Sequence, residues 1–428
     1  MYEIDKRLIE LDQESNPIRV GIIGAGQMGS EIITQISLMR GMEVVVVVDR
    51  TEELAMKGYS YSDTAQQVLT TDDLGAAEEA IISGRKVAST DYRIATSLPG
   101  VDVVVDATGS VEMGAITSLD AFDHKKNIVM MSVECDVTIG PILRKFAQNA
   151  GVVYSLAAGD EPAAIIELYR FANALGFEIV SAGKGKNNPL DIYATPEDLQ
   201  EKADQRKMNA RMLCEFVDGS KTAIEMAAVS NATGLVPDIR GMHGASSSVE
   251  ELNKVFVPKA DGGVLNKKGV VDFAIGVSPG VFVVFSTENQ RLKDGLAQRD
   301  MGNGPNYLLF RPYHLCSIEV PLTIAQTVLY NESSGHPDKG LVSECIAIAK
   351  KDIKKGEVLD NIGEYCYRGS IELASVARDE KLLPLGLAKG NIAAADIKKD
   401  QAITYDMVNI TNDSVLLQLR KIQDNLYL

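Results

Sequence analysis

Long apolar runs and basic charge are both scarce in this 428-residue chain. No apolar run approaches the roughly 20 residues of a membrane span, and residues 1–7 lack the pattern of a signal peptide. We therefore expect a cytoplasmic protein with no membrane partner. The 59 acidic residues outnumber the 43 basic ones, for a formal net charge of −16, which argues against nucleic acid as a partner.

Cysteine and histidine are also rare. The cysteines are odd in number and scattered, without the C-x-x-C spacing of a metal site, and they stand at Cys135, Cys214, Cys316, Cys345 and Cys366. This pattern favours reduced thiols that pack in the core over a disulfide framework. His314 is one of only four histidines, and it is a candidate substrate ligand, although a lone histidine is more often structural.

A glycine-rich turn follows the apolar run that begins at Ile18. Gly24, Gly26 and Gly29 form G-x-G-x-x-G between a Val/Ile-rich segment and an amphipathic helix, the context in which the motif indicates a dinucleotide site. The first glycine permits a tight turn, the second lets the backbone approach a pyrophosphate, and the third allows close helix packing. The predicted cofactor-binding residues of this turn are the three glycines with Gln27 and Met28.

An acidic residue ends the next apolar run, Met42 to Asp49. Asp49 lies twenty residues after Gly29, where a carboxylate would accept the ribose hydroxyls of NAD. Arg50 could instead hold the 2′-phosphate of NADP. The sequence therefore predicts NAD or NADP as cofactor and leaves the choice between them open.

The apolar run from Val101 ends in small and polar residues. Strand ends meet the ligand in a doubly wound sheet, so we expect Ala107, Thr108 and Gly109 to face the cofactor, together with Asp106. Strands and helices alternate from Ile18 to about residue 155, which predicts a parallel sheet. Apolar residues at helical spacing over 3–14 predict a short amphipathic helix before the first strand, and a further helix is expected around Gly140 to Ala150. The predicted fold is α/β: an N-terminal Rossmann domain over 1–155, an α+β catalytic and oligomerisation domain over 156–340, and a small domain over 341–428.

Two lysines end a strand predicted from Phe177. Lys184 and Lys186 alternate with glycines, so both side chains point the same way if the strand persists, and the glycines would let an anion approach the backbone. The alternative is a basic surface turn. We favour the site interpretation, with Lys184 as a catalytic residue and Lys186 and Asn187 as substrate ligands.

Three charged residues fall at helical spacing in the segment from Met208 to Gly234. Asp218, Lys221 and Glu225 can share one helix face, and their apolar flanks suggest partial burial. An exposed ion-pair ladder would explain the spacing equally simply. We predict that the three residues transfer protons.

The remaining candidates are isolated in sequence. Asp160 and Glu161 precede a predicted helix and either cap it or bind a divalent metal such as Mn²⁺ or Mg²⁺. The other predicted substrate ligands are Glu134, Asn231, Arg311 and His314.

A short echo marks the C-terminal part. Asp352-Ile-Lys-Lys-Gly-Glu recurs as Asp396-Ile-Lys-Lys-Asp-Gln, which predicts two similar β-turn units rather than a solenoid. These segments resemble the SAF domain, a small β-clip fold. The first 340 residues resemble the homoserine dehydrogenase-like oxidoreductases, and Gly183-Lys-Gly-Lys, the segment Val217 to Ala227 and Arg311-Pro-Tyr-His resemble their SAF-containing, DXR-like (DRL) branch.

The resemblance implies an NADPH-dependent reductoisomerase that converts 1-deoxy-D-xylulose 5-phosphate to 2-C-methyl-D-erythritol 4-phosphate, or acts on a similar small phosphorylated ketose, as a homodimer or homotetramer. Homoserine oxidation is not expected, because Glu134 stands about where that family has its catalytic lysine. Two alternatives remain: a dehydrogenase of a hydroxy acid or polyol without isomerisation, and a non-catalytic nucleotide- or sugar-binding module.

Overall fold

The computed structural model describes residues 3–61, 68–186, 188–411 and 413–427. The strands are β1 (Ile18–Ile23), β2 (Met42–Val48), β3 (Val68–Thr70), β4 (Lys86–Ser89), β5 (Val103–Asp106), β6 (Asn127–Met130), β7 (Tyr154–Leu156), β8 (Glu178–Lys186), β9 (Val236–Pro237), β10 (Val270–Ile275), β11 (Val281–Ser286), β12 (Asn306–Arg311), β13 (Ser343–Ala349), β14 (Tyr367–Leu373), β15 (Ile392–Ala393) and β16 (Val408–Asn409). The helices are α1 (Ile4–Gln13), α2 (Gln27–Ser37), α3 (Glu52–Gly58), α4 (Leu74–Ile82), α5 (Arg93–Ser97), α6 (Val111–Asp123), α7 (Val133–Ala150), α8 (Glu161–Ala174), α9 (Pro196–Arg206), α10 (Ala210–Val217), α11 (Ser220–Thr233), α12 (Leu252–Val255), α13 (Gln290–Ala297), α14 (Val320–Tyr330), α15 (Ala374–Asp379) and α16 (Val415–Tyr427). Within these described ranges, no helix combines the length and the apolar character that a bilayer crossing requires.

The chain forms two compact units. The first comprises the described residues of Met1–Ala163, Leu315–His336 and Gln418–Arg420, and the second those of Ala164–His314, Pro337–Leu417 and Lys421–Leu428. Residues 337–417 thus belong to the same compact unit as residues 164–314.

The first unit is built on a seven-stranded parallel sheet. Its strand order is β3-β4-β2-β1-β5-β6-β7, and every pairing is parallel. The chain moves outward from β1 through β2 on one side and returns to start again at β5 on the other. This reversal places a ligand-binding crevice at the carboxyl ends of β1 and β5, and it confirms the predicted α/β fold with a Rossmann sheet.

Buried aliphatic side chains explain the central strands of this sheet. Val20, Ile22, Val46 and Val47 have no exposed surface, as expected for strands covered on both faces. The predicted helix before β1 is confirmed as α1, and its Leu8 packs into the same apolar core.

Helix α7 begins seven residues earlier than the sequence predicted. We expected a helix from about Gly140, but it runs from Val133 and contains Pro141. Burial of almost every residue between Val133 and Leu143 outweighs the missing N–H of the internal proline.

Within helix α7, fully buried Asp136 accepts a hydrogen bond from the Tyr154 hydroxyl at 2.8 Å. Burial raises the pKa of Asp136 to about 7.

The second unit contains a five-stranded mixed sheet of order β12-β11-β8-β10-β9. Strand β8 lies in its centre, parallel to β10 and antiparallel to β11. The strand predicted from Phe177 therefore persists through Lys186, as the proposed orientation of its lysines requires.

The helix predicted across Asp218 is interrupted, so the expectation that Asp218, Lys221 and Glu225 share one helix face is wrong. Helix α10 ends at Val217, and α11 begins at Ser220 after Gly219, whose φ is +89°. Left-handed backbone favours glycine and ends a helix. Lys221 and Glu225 remain one turn apart on α11, while Asp218 lies in the turn that precedes it.

The two echoed segments of the C-terminal part pair with each other, as two similar turn units. Asp352 accepts from the backbone N–H of Lys399 at 2.9 Å, and Asp396 accepts from that of Lys355 at 2.9 Å. Ile353 bridges Ile397 between them. Each turn thus provides the carboxylate that holds the other.

Candidate active site

Two of the three motif glycines are required by close backbone approaches. Gly24 has φ +98°, and a Cβ built on it would lie 2.6 Å from the carbonyl oxygen of Ala107. A Cβ on Gly29 would overlap the carbonyl oxygen of Gly24. Helix α2 therefore packs directly against the turn that leaves β1, as the motif predicts.

Gly26 differs, because a Cβ built on it would meet no described atom within 4 Å. It is the N-cap of α2, and no described side chain caps the first amides of that helix. Free N–H groups at a helix N-terminus bind anions. The turn thus offers open space and hydrogen-bond donors that fit the pyrophosphate of a dinucleotide, with Gln27 and Met28 in the first helical turn.

Asp49 holds this turn from the end of β2. One carboxylate oxygen accepts from the N–H of Ala25 at 2.7 Å and the other from the N–H of Arg50 at 2.6 Å. The Arg50 side chain is 92% exposed, so its guanidinium is accessible to a 2′-phosphate. Both predicted residues lie at the strand end, and the choice between NAD and NADP stays open.

Buried Asp106 organises the loop after β5. Its carboxylate accepts from the hydroxyls of Thr108 at 2.9 Å, Thr117 at 3.0 Å and Ser132 at 3.0 Å. Burial raises the pKa of Asp106, and these bonds oppose the rise. The N–H of Ala107 donates to the carbonyl of Ile23, which fixes the predicted residues 107–109 beside the glycine turn. The sequence missed Thr117 and Ser132, which only the fold brings to this strand end.

In the second unit, Lys184 on β8 forms a buried ion pair with Glu225 on α11. The exposed fractions are 8% and 2% of the two side chains. An ammonium and a carboxylate held together away from water can exchange a proton with a bound molecule. The structure thus brings together two of the four residues predicted to be catalytic.

Lys186 lies two residues further along β8. Its ammonium donates to the backbone carbonyl of Phe216 at 2.6 Å. Burial, with a contribution from the nearby charge of Lys184, lowers the pKa of Lys186 to about 8. A lysine with such a pKa changes its charge just above neutral pH.

The glycines beside these lysines do not leave room for a ligand. A Cβ on Gly183 would overlap the carbonyl oxygen of Asp272, and one on Gly185 would overlap that of Val277. Protein backbone already occupies the space that we expected an anion to use. The glycines allow close packing, and only the lysine side of the strand is available to a ligand.

Asp218 is paired with a residue that the sequence did not single out. Lys350, directly after β13, donates to Asp218 at 3.0 Å and to the carbonyl of Glu364 at 2.7 Å. The ion-paired side chains are only 2% and 0% exposed. Burial raises the pKa of Asp218, and the charge of Lys350 opposes the rise. The sequence signal for this partner was the position of Lys350, which directly follows the seven residues of β13, all of them buried.

The other predicted residues of the second unit lie in different surroundings. The side-chain oxygen of buried Asn231 accepts from the N–H groups of Val342 and Ser343 at 2.8 and 2.9 Å. Arg311 approaches Glu167 at 3.3 Å and lies over the Tyr313 ring at 4.6 Å. Lys221 and His314 are both half-buried. Asn187 lies outside the described residues.

Three predicted residues belong to the first unit. Glu134 lies in the first turn of α7 and is partly buried. Asp160 and Glu161 are 6% and 7% exposed at the start of α8, and the Cys316 thiol donates to the Asp160 carboxylate at 3.4 Å. Adjacent buried carboxylates supply the oxygen ligands that Mg²⁺ and Mn²⁺ prefer. The role of Asp160 and Glu161 as metal ligands stays a prediction.

Two family models match the chain. Residues 24–156 match the NAD-binding domain of homoserine dehydrogenase, and residues 159–320 match the catalytic domain described as oxidoreductase DRL. Residues 321–428 lie outside both matches. No curated protein sequence matches the chain significantly.

Solved structures of dehydrogenases are similar at low identity. A probable dehydrogenase from Thermotoga maritima is 13% identical with a TM-score of 0.43, over 74% of this chain and 90% of that one. The WlbA dehydrogenase from Bordetella pertussis, solved with NADH and UDP-GlcNAcA, is 16% identical with a TM-score of 0.31, over 43% of this chain and 47% of that one.

The two family matches agree with the geometry of the glycine turn. The chain is an oxidoreductase that uses NAD(P) and acts on a small molecule. Of the two alternatives left open by the sequence, the non-catalytic binding module is thereby set aside.

Proposed function

We propose that the chain reduces a small phosphorylated ketose with NAD(P)H, and in the specific form isomerises and reduces 1-deoxy-D-xylulose 5-phosphate to 2-C-methyl-D-erythritol 4-phosphate. The observation that supports the proposal is the buried Lys184–Glu225 pair beside Lys186, within the segment that matches the DRL catalytic domain.

Lys184 and Glu225 provide the proton transfers that such a reaction needs. Reduction of a carbonyl leaves an alkoxide, which the Lys184 ammonium would protonate. The neutral amine would then regain a proton from solvent, and the Glu225 carboxylate would stabilise the restored ammonium. Lys221, one turn before Glu225 on α11, and Asp218, in the turn before that helix, complete the proposed catalytic set. Bound NAD(P)H would supply the hydride.

Lys186 is the proposed ligand of the substrate anion. Among the described residues, its ammonium donates to the carbonyl of Phe216 and to no carboxylate, and a phosphate would form a direct charge-assisted hydrogen bond with it. Asp160 and Glu161 are the proposed ligands of a divalent metal. Such an ion would polarise neighbouring oxygens of a hydroxyketone.

An anaerobic assay of NADPH and NADH oxidation with 1-deoxy-D-xylulose 5-phosphate, with Mn²⁺, Mg²⁺ or EDTA, tests the proposal. Product analysis separates isomerisation from plain reduction. Homoserine and polyols are assayed separately, in the oxidative direction, as alternative substrates. Absence of turnover with the deoxyxylulose phosphate would exclude the specific form and leave the oxidoreductase class intact.

Variants then test the assigned residues on whichever substrate turns over. We expect Lys184→Met to lower kcat by about 10²–10⁴-fold, the range for a lost general acid–base group. Lys268→Met is the matched control, because Lys268 pairs with Glu178 in the same unit, where the side chains are 35% and 53% exposed, and it should leave kcat unchanged. Full activity of the Lys184 variant would contradict the proton-transfer role.

A further inference from the structure

Arg368 on β14 carries a guanidinium whose hydrogen-bond donors are largely unused within the described part of the chain. Its Nε is buried and has no hydrogen-bond partner among the described residues. The one bond it makes within the described ranges is a long contact of 3.5 Å from Nη1 to the carbonyl of Gly369. Arginine presents five N–H donors in a fixed fork, and leaving a buried donor without a partner costs free energy.

The carboxylates near this arginine are already engaged. Asp218 accepts from Lys350 at 3.0 Å and from the N–H of Ser220 at 2.9 Å. Both oxygens of Asp400 accept from the hydroxyl of Tyr193 at 2.9 Å. Arg368 interacts with both carboxylates electrostatically, without a hydrogen bond among the described residues. Burial lowers the pKa of Arg368.

Strand β14 brings this arginine close to the start of α11. The N–H of Gly369 donates to the Ser220 hydroxyl at 2.7 Å. Asp218, two residues before Ser220, is therefore the shared neighbour of three cations: it pairs with Lys350 and interacts electrostatically with Lys186 and with Arg368. Glu225 and Asp400 add negative charge to this region, but Glu225 pairs with Lys184 and Asp400 accepts from Tyr193. Among the described residues, neither Lys186 nor Arg368 therefore has a carboxylate within hydrogen-bond distance.

We propose that Arg368, on a strand of the C-terminal part, binds the oxyanion of the substrate together with Lys186. This inference rests on the proposed function and extends it to residues beyond 320, outside the matched catalytic domain. A guanidinium binds phosphate or carboxylate through two parallel N–H bonds, which would satisfy the donors that the described residues leave unused.

Ligand binding and stability together test this role. The 428-residue chain and its variants are titrated calorimetrically with inorganic phosphate and, separately, with acetate at constant ionic strength. Their thermal unfolding is also followed. We expect Arg368→Met to weaken binding of the preferred anion about tenfold or more and Arg368→Lys to recover part of it. Lys355→Met removes an exposed cation from the same C-terminal part and should leave binding within about twofold.

The stability readout separates a ligand-binding arginine from a structural one. Because its donors are mostly unpaired, Arg368→Met should unfold at the same temperature as the wild type or higher. A lowered Tm with unchanged anion binding, or a wild-type chain that binds neither anion, would overturn the inference. Arginine-dependent anion binding without turnover of any phosphorylated ketose would refute the proposed substrate and leave the anion site standing.

Once a substrate is known, the kinetic constants give an independent check. Arg368→Met should raise KM about tenfold with a smaller change in kcat, since the arginine holds the substrate at a distance from the reacting atoms. An unchanged KM in an active variant would refute the role of Arg368 without touching the proposed function.

Discussion

Lys350 and Asp218 form a buried ion pair, 3.0 Å apart, between residues that are 132 positions apart in the sequence. Removing one partner of such a pair leaves the other charge buried without compensation, which typically costs about 3–5 kcal/mol. The pair therefore ties the strand that starts the C-terminal part to the turn between α10 and α11, inside one compact unit.

We expect Lys350→Met to lower the free energy of unfolding by about 3–5 kcal/mol, measured by urea denaturation. Lys381→Met is the control, because Lys381 pairs with Asp406 where both side chains are well exposed, 66% and 74%, and such pairs contribute little. Equal effects of the two substitutions would show that the buried pair has no special role.

Gly26 and Gly29 should respond differently to alanine. Gly26→Ala adds a methyl group to open space, so Tm should stay the same while the affinity for NADPH falls about tenfold or more, because the backbone can no longer approach the pyrophosphate. Gly29→Ala forces its methyl group against the backbone of Gly24, so we expect a loss of about 1–3 kcal/mol of stability. Thermal unfolding and fluorescence titration with NADPH distinguish the two effects. Unaltered NADPH affinity of the Gly26 variant would contradict the pyrophosphate site assigned to the glycine turn.

The pKa of Lys186, about 8, predicts a pH dependence of substrate binding. Its ammonium form binds the anion, so kcat/KM should fall as the pH rises above about 8. Arginine stays charged throughout this range, and Lys186→Arg should therefore remove the decline while Lys186→Met lowers kcat/KM at every pH. Profiles recorded from pH 7 to 10 check this, and a decline that persists in the arginine variant would assign the titration to another group.

The raised pKa of Asp136 predicts that the stability of the first unit depends on pH. Its pKa is raised from 3.8 to about 7 in the folded chain, so between these values the folded state binds the extra proton and stability falls as the pH rises. Asp136→Asn cannot titrate, and its advantage over the wild type should grow from near zero around pH 4 to at most about 4 kcal/mol above pH 7.

Urea denaturation at pH 5 and pH 8 measures this difference, with exposed Asp123→Asn as the control. Parallel stability curves for the wild type and Asp136→Asn would show that the buried carboxyl does not take up a proton on folding.

Local patterns predicted the nucleotide half of the molecule well. Gly24, Gly29 and Asp49 act through neighbours fixed by the first strand–helix–strand unit, so their spacing alone indicates the geometry. Lys184 and Lys186 were predicted to point the same way because a strand alternates every residue, and β8 confirms it.

Long-range partners could not be predicted in the same way. Nothing near Asp218 in sequence indicates Lys350 or Arg368, which reach it only after the C-terminal strands have folded against α11. The break at Gly219 did have a local signal, since Asp-Gly is a common turn dipeptide, but the helical spacing of Asp218, Lys221 and Glu225 outweighed it. Helix α7 was predicted too short because Gly140-Pro141 is typical of a helix start.

Strand β8 also determines how far apart two positive charges can stand. Lys184 and Lys186 are two residues apart on an extended backbone, so their stems are separated by about 6.6 Å. A slip of one residue would point lysine stems at the carbonyls of Asp272 and Val277, where no Cβ fits. The alternating glycines thus fix the register of the strand, and the separation of the two lysine stems is set before any ligand binds.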